Sequence, residues 1–486
     1  MSYADVLLGA LTIGLVAYLG VTALVYGRTR DPGLAIVLLL ASYWSVLGAF
    51  PLLVSKRTEG GFIYTYMESR LFPIMIDGAY AITLLVYLSF LLASGGLALV
   101  TTRRWGTSRS DDGWAQLAGR FSHGTLVTVV GSLTAAKLVV MALIIRAAGG
   151  SGASLYVATR TVKGDAAGYL RIYQYLNIIT SYSLACGLAL WLGYRSTQSL
   201  SRPIRAWLWL AYLALAAEVI GENAVLGNRA VPLIVMAAAA TGWIRWTFMA
   251  SPGRKRWTLA ARFGSLVAVG LLVLGTIGVS RGGSLSSPAA VAEAMASNAT
   301  RIGNVAGQVF GSSELIASHM SLYGIVRQDE LILQPFVPNS YAAYADLVAA
   351  PEDQVFTVHY VGAWWLRIGP WGVVAATVTF ALVLAALQRL ASNARGLIRG
   401  ALAVPAAVLP AAGVPITLLR SGPESLRAVF VELVLLPGMV CLAALWWGSG
   451  RSARRVRRIA ASASPPALLP TRVADAPSAT SLEPDK

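Results

Sequence analysis

Long apolar stretches recur along the whole chain and are separated by short polar segments. Each stretch is close to the 20 or so residues that a helix needs to cross the hydrocarbon core of a bilayer. The pattern therefore predicts an all-α, polytopic membrane protein. About eleven transmembrane helices are expected, near residues 6–26, 34–54, 76–100, 126–147, 173–194, 206–225, 230–249, 262–279, 361–386, 398–417 and 428–447.

The composition excludes an ordinary soluble protein. Hydrophobic residues make up 56% of the chain and charged residues only 13%, whereas a soluble domain has about 25% charged residues with which to cover its surface. We therefore expect residues 1–458 to form one transmembrane domain. Residues 459–486 are rich in Ala, Ser and Pro without apolar periodicity, which predicts a disordered cytoplasmic tail.

The basic residues predict the orientation of the chain. They cluster in alternate connections and reach their highest density at the C-terminal end, at Arg451, Arg454, Arg455, Arg457 and Arg458. Cytoplasmic segments of membrane proteins carry such an excess, so the N-terminus is expected outside and the C-terminus in the cytoplasm. This placement accounts for the net charge of +17 without a nucleic-acid partner. The partner that it predicts is the lipid bilayer.

One long segment, at about 280–360, separates the predicted eighth and ninth spans on the outer side. Ser287-Pro288 can open a helix over 289–302, and a second helix is expected from Ser312 or Ser313 through Tyr323. The segment is thus predicted to be a large, partly helical extracytoplasmic loop. Its later part carries three aromatic candidates for glycan binding, Phe336, Tyr341 and Tyr344. The aromatic group that follows His359 is typical of an interfacial belt.

Arginines near the outer ends of the later spans are candidates for binding phosphate. The planar guanidinium matches two phosphate oxygens at once, which suits a substrate with a diphosphate at the membrane surface. Pairing with Glu222, Glu424 or Glu432 is the structural alternative for each of them. The set comprises Arg229, Arg281, Arg301, Arg327, Arg367, Arg420 and Arg427.

His319 and Tyr323 are the candidates for proton transfer. They lie four residues apart in the second predicted loop helix and therefore share one face, with Glu314 close by. A sugar transfer uses either a base that activates the acceptor hydroxyl or a good leaving group, so the sequence leaves a catalytic and a structural role for His319 both open. No His, Asp or Glu cluster has metal-ligand spacing, and neither a metal nor a cofactor is expected.

Several short motifs, spread from about Leu226 to Met439, resemble the Wzy-type polymerases of O-antigen and other surface polysaccharides. The first is a Gly-x-Arg element at a span entry, and the second is an Arg-Gly-Gly element that leads into the large loop. The remaining ones are a loop helix with its proline-rich continuation and an aromatic, glycine-rich return to the membrane. They stand at Gly227-Asn228-Arg229, Ser280-Arg281-Gly282-Gly283, Ser318 to Gly324, Pro335 to Pro338, and Val361 to Gly372.

The resemblance implies an enzyme of the bacterial inner membrane. It would transfer a growing glycan from polyprenyl diphosphate to an incoming lipid-linked repeat unit, beside a flippase and a chain-length regulator. Arg229 and Arg281 stand in matching elements and would bind the diphosphate. Arg281 is also a catalytic candidate, because stabilising the leaving group can do most of the catalysis. Arg420 and Arg427 are predicted as phosphate binders from their position and charge alone.

Three other functions stay open from the sequence. A multispanning glycosyltransferase that uses a polyprenyl-phosphate sugar would have an acidic pair in its first outer loop, but Glu59 and Glu68 are not adjacent. An O-antigen ligase shares the architecture and the use of arginines. A flippase or other transporter would need ionisable groups within the membrane, for which Lys137, Glu218 and Glu432 are the candidates.

Overall fold

The protein is almost entirely helical where its structure is described. The computed structural model describes residues 3–29, 31–57, 75–104, 111–147, 166–194, 200–225, 230–248, 313–328, 333–348, 357–392 and 394–462, and no strand occurs among them. These residues confirm the prediction of an all-α protein. The predicted span at 262–279, the first predicted loop helix, and Arg229 and Arg281 lie outside them.

Eight helices form the N-terminal half of the described chain. The second of them, α2, contains one wider π-helical turn, Tyr43–Leu47, within its length. The helices are α1 (Tyr3–Thr29), α2 (Pro32–Val54), α3 (Gly78–Arg104), α4 (Asp111–Arg120), α5 (His123–Ala147), α6 (Ala166–Tyr194), α7 (Arg202–Val225) and α8 (Ala230–Trp243).

Seven helices follow in the C-terminal half. The chain remains helical beyond the last of them to Ser462, so the predicted disordered tail begins with helical residues, and 463–486 lie outside the described residues. The helices are α9 (Ser313–Val326), α10 (Ser340–Leu347), α11 (Tyr360–Ile368), α12 (Trp371–Ser392), α13 (Leu397–Val408), α14 (Pro410–Leu419) and α15 (Pro423–Ser449).

Eight of the described helices are long and apolar enough to cross a membrane, namely α1, α2, α3, α5, α6, α7, α12 and α15. The bent pair α13 and α14 raises this number to nine if it is one span, and α8 is a shorter apolar helix. The chain is therefore a multi-pass membrane protein. The number of eleven spans stays a prediction.

Contacts between distant segments place the helix ends at two opposite ends of the bundle. At one end, Asp31 before α2 pairs with Arg245 after α8 at 3.3 Å. At the other end, Arg327 after α9 contacts Met75 before α3 at 3.4 Å. We call the second the loop end, because the described parts of the predicted extracytoplasmic loop lie there.

Helix α9 packs into the bundle, although its sequence belongs to the predicted loop. It contacts the π turn of α2, helix α3 and helix α11. Apolar side chains such as Leu315 and Leu322 are fully buried, and so are the small polar Ser318 and Ser321. Because polar groups without water must find protein partners, this burial requires the hydrogen-bond network described below.

The predicted span at 361–386 is divided into two helices. Gly369 ends α11 with a φ of 61°, a left-handed conformation that glycine adopts at little steric cost. Pro370 follows, and α12 begins at Trp371. A Cβ on Gly372 would lie 2.5 Å from the backbone carbon of Trp364. The turn is therefore so tight that α11 packs back against the start of α12.

The predicted span at 398–417 is bent by 56° between α13 and α14. Pro405 lies inside α13, Pro410 begins α14, and Pro415 begins a further π-helical turn, Pro415–Leu419. Each proline lacks a backbone N–H and crowds the preceding turn, which is the usual cause of such a bend. The bend directs the end of α14 toward α2 and α11.

Candidate functional site

The π turn of α2 is held by a histidine from the loop segment. The ring of His319 on α9 lies between two partners, the Ser45 carbonyl at 3.3 Å from Nδ1 and the Tyr80 hydroxyl at 3.2 Å from Nε2. A carbonyl only accepts, so Nδ1 carries the proton and Nε2 accepts from Tyr80. Since a π turn interrupts the regular helical hydrogen-bonding pattern, its carbonyls are available for side chains, and such turns often occur at functional sites.

A second histidine holds the hydroxyl of the same serine. His359 caps α11, where its Nδ1 accepts from the Val361 N–H at 3.1 Å. Its Nε2 therefore carries the proton and donates to Ser45 Oγ at 3.0 Å. The ring of Tyr87 packs edge-on against His359, with 4.5 Å between the ring centroids. Helix α9 and the N-terminal end of α11 are thus both attached to Ser45 of α2.

Both histidines are neutral at physiological pH. Burial lowers the pKa of His319 to about 4, and the hydrogen bond to the Ser45 carbonyl opposes this effect. Burial also lowers the pKa of His359 to about 3, with a smaller contribution from the nearby His319. Removal of water disfavours the charged imidazolium, which is the physical cause in both cases. The role of His319 as a catalytic base stays a prediction. In this structure its unprotonated nitrogen, Nε2, accepts a hydrogen bond from the Tyr80 hydroxyl.

Arg367 of α11 forms a buried ion pair with Glu424, the first acidic residue of α15, at 3.1 Å. Its guanidinium also donates to Ser340 Oγ at 2.7 Å, to the Val337 carbonyl at 2.7 Å and to the Ala363 carbonyl at 3.0 Å. Glu424 in turn accepts from the Ser340 N–H at 2.8 Å. Pairing with a carboxylate, the structural alternative for the arginines, is confirmed for Arg367.

Arg420 stands at the end of α14, next to this ion pair in sequence. Its guanidinium carbon lies 5.1 Å from the centre of the Trp44 ring, in the cation–π range. Its backbone carbonyl accepts from the Tyr341 hydroxyl at 2.6 Å, and this hydroxyl also hydrogen-bonds Ser421 Oγ at 2.7 Å. Trp44 directly precedes Ser45, so Arg420 and the two histidines share the π turn as their support.

The other predicted site residues at the loop end differ in exposure. Arg427 is exposed and lies seven residues after Arg420 and three residues after Glu424. Phe336 is 96% exposed and presents its whole ring at the surface, whereas Tyr344 is completely buried. Of the three candidates for glycan binding, Phe336 has the free face that a sugar would require. Tyr341 positions the segment that carries Arg420.

His319 and Tyr323 share one face of α9, as their spacing predicted. The rings of both contact Tyr80, with centroid distances of 5.6 Å and 5.8 Å. Burial raises the pKa of Tyr323, so its hydroxyl keeps its proton at neutral pH. The side chain of Arg327 lies over the Tyr323 ring at 5.8 Å.

Sequence reasoning missed several residues that build this site. Trp44, Ser45, Tyr80 and Ser340 lie in apolar or loop segments with no motif, and Ser45 is 314 residues away from its partner His359. His359 had a weak signal, since the chain has only three histidines. The predicted interfacial belt differs from the structure, because His359 and the adjacent Tyr360 are buried in the bundle.

A second group of ionisable residues lies within the spans, away from the loop-end site. Lys137 of α5 is completely buried and pairs with Glu218 of α7 at 2.8 Å and with Glu222 one turn further on. The Tyr173 hydroxyl donates to Glu222 Oε1 at 2.6 Å, and Lys137 Nζ lies 3.5 Å from Asn177 Oδ1. Of the predicted ionisable groups in spans, Lys137 and Glu218 are thus brought together.

The described part of the chain has no group of three His, Cys, Asp or Glu side chains placed to bind a metal ion. The absence of a metal and of a cofactor stays a prediction. No protein-family model, curated protein or solved structure matches the chain. The functional interpretation therefore depends on the geometry of the two residue groups and on the motif resemblance.

Proposed function

We propose that the protein polymerises lipid-linked oligosaccharide repeat units into a surface polysaccharide, with the loop end outside the cell. The observation that carries this proposal is the cation–π contact of Arg420 with the Trp44 ring, together with the exposed Arg427 seven residues further along the chain. A cation held on a rigid aromatic surface at a span end suits a diphosphate whose lipid tail lies in the bilayer.

In the proposed reaction, an acceptor hydroxyl of the incoming unit attacks the anomeric carbon of the growing glycan. The new glycosidic C–O bond forms, the bond from that carbon to the polyprenyl diphosphate breaks, and the hydroxyl proton leaves to a base or to the departing diphosphate. The arginines stabilise the negative charge that builds up on the diphosphate. Arg229 and Arg281 are proposed to complete the set of cations.

The Arg367–Glu424 pair has a positioning role in this proposal. It connects α11 to the turn between Arg420 and Arg427, and through Ser340 it also connects α10. Because the Arg367 guanidinium already has protein partners on both of its terminal nitrogens, it would keep the turn in place instead of binding substrate. The exposed Phe336 ring is proposed to stack against a sugar of the glycan.

The test is made in cells that lack the protein and are complemented with variants. Surface glycans and polyprenyl-linked oligosaccharides are extracted, and both are sized. Arg420→Ala and Arg427→Ala should each lower the amount of long polymer by about tenfold or more, as loss of a charged transition-state contact does. Single repeat units should still reach the outer face.

Arg389→Ala is the matched control, because this arginine is exposed at the opposite end of the bundle. It should leave the polymer unchanged at equal protein level in the membrane. Normal long polymer from both loop-end variants would refute the role of these arginines. Units that lack a single sugar in the deletion strain would indicate a polyprenyl-phosphate-dependent glycosyltransferase, and complete polymer that is not attached to its acceptor would indicate a ligase.

A transporter of lipid-linked oligosaccharide is the second candidate function. The observation that favours it is the buried group of Lys137, Glu218 and Glu222 within the spans, since ionisable residues inside a membrane often mark transport or proton pathways. In the same deletion strain, repeat units confined to the cytoplasmic face would support a transporter and exclude the polymerase as the primary function.

A further inference from the structure

Two spans, α5 and α7, bring one lysine and two carboxyl groups into direct contact. Lys137 Nζ lies 2.8 Å from Glu218 Oε1 and contacts Glu222 Oε2 as well. Glu218 and Glu222 are four residues apart and therefore project from the same face of α7. The Lys137 side chain is 0% exposed, that of Glu222 is 5% exposed and that of Glu218 is 22% exposed. We call Lys137, Glu218 and Glu222 the span cluster.

The span cluster lies within α5 and α7, nearer to their C-terminal ends than to their starts. Lys137 is fourteen residues after His123 and ten before Ala147, the ends of α5. At about 1.5 Å per residue, these separations are about 21 Å and about 15 Å along the helix axis. On α7, Glu218 and Glu222 lie seven and three residues before Val225, where the helix ends. Because the Lys137 side chain is completely buried, its charge has to be balanced by nearby groups.

The charges of the span cluster do not balance if all three groups are ionised, because one ammonium faces two carboxylates. Glu222 accepts at both oxygens, from the Tyr173 hydroxyl at Oε1 and from Lys137 at Oε2, as an ionised carboxylate does. Both oxygens of Glu218 are buried, and Lys137 Nζ lies 2.8 Å from Oε1, whereas no hydrogen-bond donor among the described residues reaches Oε2. Glu218 thus has a donor at one oxygen and Glu222 has donors at both, so Glu218 is the less completely neutralised of the two carboxyl groups.

Other groups on the packed helices do not supply a second cation within the described structure. On α6, Tyr173 and Asn177 are uncharged partners of the cluster, and Arg171 is exposed. Arg146 at the end of α5 is exposed as well, and helix α8 has no ionisable side chain. None of these contributes a positive charge in contact with Glu218.

The remaining ionisable groups on these helices face other partners. His123 of α5 hydrogen-bonds Tyr212 of α7 at 2.7 Å, toward the opposite end of the bundle. Helix α15, which packs on α5 and α6, carries Cys441 and Glu432 in its span, and neither is in contact with the span cluster. The basic residues Arg202 and Arg205 lie at the start of α7, far along the axis from Glu218.

We propose that the span cluster is a binding site for one proton inside the membrane, with Glu218 as the group that carries it. Uptake converts the Glu218 carboxylate to the neutral acid, so that the cluster contains one ammonium and one carboxylate and has no net charge. It also removes the repulsion between two like charges one helical turn apart. A monovalent metal cation beside Glu218 is the competing occupant.

The proposal is independent of glycan polymerisation, and its test measures protonation directly. The purified protein in lipid nanodiscs is examined by infrared spectroscopy in the region of the protonated carboxyl C=O stretch, at neutral pH and with choline in place of metal cations. The expected count follows from charge balance. The wild type has one protonated carboxyl in the cluster, Glu218→Gln has none, and Lys137→Met has two, because both carboxylates then lack their cation.

Glu432→Gln is the matched control, since this carboxyl also lies in a span, on α15, but is not a partner of Lys137. It should leave the band lost in Glu218→Gln unchanged. If Lys137→Met does not fold, as judged by gel filtration, the near-isosteric Glu218→Gln still decides the question. Identical spectra of wild type and Glu218→Gln would overturn the proposal, and so would a wild-type band that disappears when sodium replaces choline.

Discussion

The buried pair of Arg367 and Glu424 permits a quantitative prediction about the loop-end site. Replacing Glu424 with Ala removes the acceptor of three hydrogen bonds, two from Ser340 and one from Arg367. It also leaves the Arg367 guanidinium, whose side chain is 9% exposed, without its anion. The protein should be destabilised, and the segment that carries Arg420 should lose its attachment to α10 and α11.

The magnitude follows from the burial of the two partners. Removing one member of a fully buried ion pair costs about 3–5 kcal/mol. Glu424 is 27% exposed, so solvent screening reduces the expected loss to about 2–3 kcal/mol. Glu424→Gln keeps the shape and one acceptor oxygen, and it should cost about 1–2 kcal/mol. Arg367→Met combined with Glu424→Ala should recover part of the loss, because no buried charge is then left unpaired.

The assay is a double-mutant cycle on the purified protein. The free energy of unfolding is measured by denaturant titration in mixed micelles for the wild type, Arg367→Met, Glu424→Ala and the double variant. We expect a coupling energy of at least about 1 kcal/mol between the two positions. The amount of long polymer is measured in parallel and should fall in both single variants.

Additive effects in this cycle would refute the reasoning, because two residues that stabilise each other cannot be independent. A cost below about 0.5 kcal/mol for Glu424→Ala would equally contradict it, since values of that size are typical of exposed pairs. Arg389→Ala again serves as the control, because an exposed arginine at the other end should change the unfolding free energy little.

Three further predictions concern other parts of the molecule. Gly242→Val should cost more than about 1–3 kcal/mol, because even a Cβ there would lie 2.5 Å from Ala189 Cβ, whereas Gly131→Ala has open space and should be tolerated in the same unfolding assay. Trp44→Leu removes the aromatic ring that contacts the Arg420 guanidinium, and it should shorten the polymer without changing membrane insertion. Burial lowers the pKa of His319 to about 4 from an ordinary value of about 6.5. The stabilisation by the neutral His319 ring is therefore complete above a pH of about 6.5 and should fall by about 3 kcal/mol as the pH drops from about 6.5 to about 4. His319→Gln should reduce this dependence of the unfolding free energy on pH.

The helices of this protein were largely predictable from the sequence, and their exceptions have identifiable causes. Predicted spans such as 6–26 and 126–147 lie within the observed Tyr3–Thr29 and His123–Ala147, because hydrophobicity over one helix length is a local property. The spans that differ contain backbone features whose effect depends on packing. Gly369 divides one predicted span, and the prolines near Pro410 bend another by 56°.

The candidate residues were predictable by type but not by partner. The spacing of His319 and Tyr323 correctly indicated one shared helix face, since positions four apart coincide on any helix. Which partner each arginine takes was not predictable, because Arg367 and Arg420 have the same sequence character. Only the structure shows that Arg367 pairs with Glu424, whereas Arg420 lies over the Trp44 ring.

The sequence by itself determined that the chain is an all-α, multi-pass membrane protein, because composition and apolar run length decide how each segment partitions between water and lipid. The tertiary structure decided that α9 packs into the bundle, that Ser45 joins His319 to His359, and that Lys137 meets two carboxyl groups. These outcomes depend on contacts between residues far apart in sequence, 314 positions in the case of Ser45 and His359. The need to satisfy buried polar groups selects such contacts only after the helices have packed.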